Sequence, residues 1–154
     1  MTLLFHLLAI ITPDDRVVLR NFKFQCKGTA NVSGWGLTHT GYSPDALVAA
    51  ELRIRDHNDC TQKFKSNYNV TDHMICAGGK RDACKGDSGG PLTCAKNGTD
   101  GQQRYLCGIV SWGVDCTDIS NRQYPSVYTD VSKYGKWVGK HTRALARTII
   151  DVNF

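Results

Sequence analysis

Between Lys80 and Cys94 the chain reads KRDACKGDSGGPLTC, a serine set among glycines directly behind an aspartate. A serine hydroxyl is a weak nucleophile at neutral pH, and acyl-transfer chemistry activates it with a histidine in hydrogen-bond reach that a carboxylate orients. Ser88 is therefore a candidate nucleophile. Glycines at 86, 89 and 90 let the backbone turn tightly around it. Such a turn would aim the N–H groups of Gly86 and Ser88 at one point, as an oxyanion hole requires. The stretch also satisfies G-x-S-x-G, a nucleophile elbow that needs a buried apolar strand before the serine and a helix after it. Here polar GGKRDACK precedes Ser88 and Pro91-Leu92 opens more strand-like sequence, so that context fails.

The elements that must hold this loop belong to a chain of 154 residues, enough for one domain with a real core, with 41% hydrophobic and 21% charged residues. The net charge of +5 is scattered, with some concentration between Lys133 and Arg147, and no nucleic-acid motif accompanies it. A solvated surface accounts for it, and no nucleic-acid partner is expected. Seven cysteines, none in a CxxC pair, read as a disulfide framework made in an oxidising compartment rather than as a metal site. Sequons at Asn31, Asn69 and Asn97 agree with secretion. The N-terminal MTLLFHLLAIIT lacks a positive flank and a small-x-small cleavage site, and it is too short to span a bilayer. No membrane partner is expected, and an export signal is expected upstream of this chain.

No repeats or low-complexity linkers interrupt the sequence. Runs rich in valine, isoleucine, tyrosine and leucine recur between turn residues: DRVVLRNF, TANVSGW, DALVAAELRI, RYLCGIVSW and PSVYTDV. This spacing predicts antiparallel strands in an all-β sandwich or barrel. ELRIRDHNDCTQKF predicts a strand running into a short surface helix. SKYGKWVGKHTRALARTII predicts a C-terminal helix with Ser132 as N-cap, packed on the body through Tyr134, Trp137, Val138 and His141.

Five segments in order, NVSGWG (31–36), MICAGG (74–79), RDACKGDSGGPL (81–92), GIVSWG (108–113) and YPSVYTDVSKYGKWV (124–138), resemble the trypsin/chymotrypsin family of serine endopeptidases. The resemblance covers the chain from about residue 30 to 140. The activated-serine chemistry set out above is that family's own Ser-His-Asp triad. The resemblance implies a chymotrypsin-like fold, essentially the second six-stranded antiparallel β-barrel with a C-terminal α-helix and the first barrel missing. Residues 1–143 would form this partial domain and 144–154 an extension. By resemblance Ser88 is the nucleophile, with the Gly86 and Ser88 amides as oxyanion hole. Asp82 would sit at the bottom of the specificity pocket, which implies protein or peptide substrates cleaved after arginine or lysine. Ala83 replaces a hydroxyl residue that helps bind lysine, which favours arginine. Ser111, Trp112 and Gly113 would form the wall along which substrate backbone pairs. Ser126 replaces the usual glycine and would narrow the pocket, and Lys85 at the rim would favour acidic residues near the scissile bond. Pro125 stands where sodium-activated members have tyrosine, which argues against sodium regulation; separately, no cofactor or metal is implied. The resemblance also implies the bridges Cys60–Cys76 and Cys84–Cys116. The third bridge is open, because Ala30 holds the usual cysteine's place: Cys94 pairs with Cys26 or with Cys107.

The base is harder to find. His6, His39, His57, His73 and His141 all lie outside the AAHC-like context of the family's catalytic histidine. Members carry D-I-A-L-L or D-I-T-L-L at the triad aspartate, and this chain begins M-T-L-L, immediately after that aspartate's place. The activation site whose new N-terminal ammonium would pair with Asp87 is missing as well. The resemblance thus implies a serine endopeptidase seen in part, with an N-terminal half as expected partner and no significant activity of this chain alone. The apolar LLFHLLAII would lose cover and promote association. A second expectation, of a different class, is a non-catalytic homologue acting as a binding module, disfavoured by the joint survival of Asp82, Gly86, Asp87 and Ser88. An α/β-hydrolase esterase is a third, which an ordered helix directly after Ser88 would favour.

Overall fold

The computed structural model describes residues 26–79, 81–95, 104–117, 123–138 and 140–141. Six antiparallel strands close into one barrel: β1 (Thr29–Gly34), β2 (Val48–Ile54), β3 (Met74–Gly78), β4 (Pro91–Ala95), β5 (Arg104–Trp112) and β6 (Ser126–Asp130). Their order round the barrel is β1-β2-β3-β6-β5-β4, with β4 closing onto β1 through Ala30, Asn31 and Val32 opposite Cys94, Thr93 and Leu92. Closure removes the free edge that an open sheet would present.

Strands form where alternate residues are apolar, because successive side chains leave opposite faces of a strand. In β1, Ala30 and Val32 point inward and are nearly fully buried. They meet Leu52 of β2, Ala77 of β3, Leu92 of β4 and Tyr128 of β6 in one core cluster. The predicted strands TANVSGW, DALVAAELRI, RYLCGIVSW and PSVYTDV correspond to β1, β2, β5 and β6, whereas DRVVLRNF lies outside the described residues, as does LLFHLLAII. The short β3 and β4 complete the barrel.

ELRIRDHNDCTQKF is, as expected, a strand passing into a helix, α1 (His57–Phe64). Asp56 caps α1, its Oδ1 accepting from the N–H groups of Asn58 and Asp59, which meets donors the first turn leaves open. Only Cys60 and Phe64 of this helix are buried, and they join Val70, Cys76 and Val127 in a second cluster. After β6 a 3-10 turn, Val131–Tyr134, leads into a helix over residues 135–138 and 140–141. Its cap is a correction to the sequence expectation: Asp130 is the N-cap, its Oδ1 accepting from both the N–H and the hydroxyl of Ser132. A carboxylate two residues earlier takes the amide that a capping serine would otherwise leave open. The face expected to pack on the body is also only partly buried. Tyr134 meets the His73 ring at 5.5 Å, but Trp137 is 61% exposed and stacks on His141 of its own helix. The boundary expected at residue 143 lies outside the described residues.

Three disulfides fasten the loops: Cys26–Cys94, Cys60–Cys76 and Cys84–Cys116. Of the two pairings open for Cys94, the structure has the one with Cys26. Cys107 is left as a free, buried thiol, its pKa pushed up to about 12 chiefly by burial. Cys26, Cys94 and Cys107 bring their sulfurs within 4.8 Å of one another, but two of the three are committed to the disulfide and are not free as thiolate ligands. No helix among the described residues is long and apolar enough to cross a membrane.

Candidate active site

The loop from Arg81 to Gly90 lies between β3 and β4 and carries most of the chemistry. Gly86 and Gly89 have φ of 101° and 83°, a region that L side chains with a Cβ rarely enter, so glycine is what allows the two turns around Asp87 and Ser88. The Gly89 N–H donates to the Val110 carbonyl and the Val110 N–H donates to the Gly90 carbonyl, both at 2.9 Å. These bonds stitch the serine loop to β5 directly beside Ser111 and Trp112. Pro91 then begins β4, so a strand and not a helix follows Ser88. Ser88 is exposed, and no carbonyl among the described residues takes the N–H of Gly86 or Ser88.

Asp87 turns the other way, into the protein. Its Oδ1 accepts from Gly36 N–H at 2.7 Å and its Oδ2 from Cys84 N–H at 2.9 Å. Glycines at 34 and 36 make the room, since a Cβ on either would collide with the Asp87 carboxylate. Thus the GWG stretch at the end of β1 is a socket for Asp87, a role its sequence did not reveal.

Asp82 accepts from Ala83 N–H at 2.9 Å, the Tyr128 hydroxyl at 2.9 Å and Ser126 N–H at 3.2 Å, and the Ser126 hydroxyl also hydrogen-bonds to it. Burial pushes its pKa above the usual carboxylate value, and these hydrogen bonds pull against that by favouring the ionised form. Tyr128 is fully buried, and desolvation together with the Asp82 charge drives its hydroxyl far above the ordinary phenol range. It stays protonated and donates. Tyr128 is the residue sequence reasoning missed. The available signal was the period of two in β6, which places it on the same side of the strand as Ser126.

A cavity of about 290 Å³ brings Asp82, Asp87, Ser126, Cys84, Cys116 and His39 onto one surface. Ser88, Lys85, Ser111, Trp112 and Gly113 lie outside its lining. Gly113 nonetheless abuts Ser126: a Cβ there would come 3.3 Å from Ser126 Oγ, so glycine and serine share the narrow space at this wall. Trp112 belongs to an aromatic cluster, 5.1 Å from both Phe64 and Tyr68. Asp115, in the turn after β5, has its carboxyl held low first by the Thr117 hydroxyl and N–H, with the Lys85 charge the smallest contribution. The histidines do not converge on Ser88: His57 meets Asp72 at 3.4 Å, His73 meets Tyr134, His141 meets Trp137, and His6 lies outside the described residues.

Known proteins resemble the chain over most of its length. The family model described as Trypsin matches residues 16–138. Trypsin epsilon of Drosophila erecta is 41% identical over 119 residues, 75% of this chain and 42% of that protein. Transmembrane protease serine 11G of Mus musculus is 40% identical over 133 residues, 82% of this chain and 30% of that protein. Urokinase-type plasminogen activator of Gallus gallus is 37% identical over 119 residues, 74% of this chain and 26% of that protein. Among solved structures, neuropsin, a serine protease expressed in the limbic system of mouse brain, matches with a TM-score of 0.62 and 35% identity over 77% of this chain and 49% of its own. The chain belongs to the trypsin family of serine proteases, and its barrel is chymotrypsin-like. It spans less than half the length of each of these relatives.

Proposed function

We propose that this chain is the nucleophile-bearing half of a secreted serine endopeptidase that cleaves after arginine or lysine through an acyl-enzyme on Ser88. The observation that carries the specificity is Asp82, a partly buried carboxylate lining a cavity and without an ion-pair partner among the described residues. A guanidinium or ammonium entering the cavity would offset its desolvation and add charge-assisted hydrogen bonds. Ala83 offers no hydroxyl beside it, which favours arginine.

In the reaction Ser88 Oγ would attack the scissile carbonyl carbon while its proton passes to a histidine, and the uncommitted amides of Gly86 and Ser88 would receive the oxyanion. The amine would leave with that proton, and water would then hydrolyse the ester. We place the histidine and aspartate on the first barrel, a reading supported by the described residues forming one barrel and by the absence of a histidine bonded to Ser88 among them. Asp87, lodged against Gly36, would exchange that contact for an N-terminal ammonium on activation. The disulfides fit an oxidising compartment, which supports export.

The purified chain is expected not to hydrolyse an arginine amide, whereas the chain joined to a first barrel with the histidine and aspartate should do so, with loss of activity in Ser88→Ala. Ser88-dependent turnover by the chain alone would refute the division of the triad. The lack of a histidine at Ser88 among the described residues also favours a second reading, a non-catalytic binding module; arginine-ligand binding without turnover by the joined halves would support it.

A further inference from the structure

We infer that Asn69 is an N-linked glycosylation site and that, of the two sequons among the described residues, it and not Asn31 is the acceptor; this rests on the export reading above. An N-x-S/T acceptor belongs on a surface loop of an exported protein, and its bulky glycan must remain in solvent after folding. Asn69-Val70-Thr71 lies between α1 and β3, outside helix and strand, with Asn69 and Thr71 both exposed. Val70 between them is only 5% exposed and packs with Phe64, Cys76 and Val127. The middle residue therefore pins the tripeptide to the barrel while the two reacting residues face water.

Asn31 differs on each count. It sits within β1, paired to Glu51 on one side and Thr93 on the other, and its carbonyl accepts from the Thr93 hydroxyl at 3.3 Å. Both Asn31 and Ser33 are half-buried, so a glycan there would have to stand among the side chains of two flanking strands. Asn97 lies outside the described residues.

In the transfer, Asn69 Nδ2 bonds to the anomeric carbon of an oligosaccharide carried on a lipid pyrophosphate. The bond from that carbon to the pyrophosphate oxygen breaks, the lipid pyrophosphate leaves with the electron pair, and Nδ2 gives up one proton. No oxidant or reductant takes part. The glycan also meets a need of the surface: Tyr68, the preceding residue, is 51% exposed with its ring 5.1 Å from Trp112. A large polar group on the next residue shields the edge of that aromatic cluster from association.

The test expresses the full chain behind a borrowed cleavable leader in secreting animal cells and recovers the leader-free chain, retained or released. Enzymatic deglycosylation in heavy-oxygen water should convert Asn69 to labelled aspartate in most molecules. Asn69→Gln and Thr71→Ala should each lose one glycan, and Thr71→Ser should keep it. Unlabelled Asn69 in the leader-free chain, or an unchanged glycan number in Asn69→Gln, would overturn the inference. The export reading is examined separately, by seeking the natural product outside its source cells without a borrowed leader; its absence there would sink that reading and leave the occupancy result standing.

Discussion

At the scale of single residues, the site is governed by how one carboxylate is kept ionised in a place that disfavours charge. Asp82 is desolvated, and Tyr128 supplies a buried hydroxyl that keeps its proton and donates it to the carboxylate. Tyr128→Phe should therefore raise the Asp82 titration midpoint further, readable from its carboxyl carbon resonance, at a stability cost of about 1–3 kcal/mol for the unmet acceptor. A midpoint that stays or falls would show that Tyr128 does not hold the charge. The same shift makes stability depend on pH. The folded state binds a proton on Asp82 more readily than the unfolded chain does, so ionised Asp82 costs stability at neutral pH and the cost fades as pH falls through the raised value. The Tm difference between Asp82→Asn and the unaltered chain should accordingly move in favour of the unaltered chain on going from about pH 7 to about pH 4.

At the scale of elements, the serine loop is held from two sides, by β5 through Val110 and by the end of β1 through Asp87. The second hold depends on missing side chains. Gly36→Ala would put a methyl group into the Asp87 carboxylate, and overpacking of this kind costs about 1–3 kcal/mol. We expect a lowered Tm together with faster amide exchange across residues 84–90, the segment that Asp87 anchors. If Tm falls but exchange in that segment does not change, Asp87 is not what orders it. The disulfides act on the same loops: Cys84–Cys116 joins this segment to the turn after β5, beside the cavity that Asp82 lines.

For the whole molecule, stability rests on closing the barrel between strands distant in sequence. Leu92 of β4 is fully buried, opposite Val32 of β1 and Gly108 of β5, and a Cβ on Gly108 would press against it. Leu92→Ala should cost about 2–5 kcal/mol in denaturant unfolding. A loss well below that range would mean the β1-β4 seam relaxes to fill the space. Because Leu92 follows Ser88 closely in the chain, loosening this seam should also loosen the start of β4 on which the serine loop ends.

Much of this was present in the order of residues. Strand period, turn residues and the GDSGG loop follow from local rules, because side-chain alternation and glycine's tolerance of positive φ are properties of short segments. Hence β1, β2, β5, β6, α1 and the candidacy of Ser88 in its glycine-flanked turn were legible from local rules, whereas the candidate role of Asp82 came from the family resemblance alone. Contacts between distant segments were not. The choice of Cys26 over Cys107 for Cys94, the socket that Gly34 and Gly36 make for Asp87, and the hydroxyl of Tyr128 on Asp82 join positions 68, 51 and 46 residues apart. The capping of the last helix by Asp130 and the exposure of Trp137 depend likewise on how the chain leaves β6. Such pairings are decided by which strands become neighbours when the barrel closes, a condition no local segment contains.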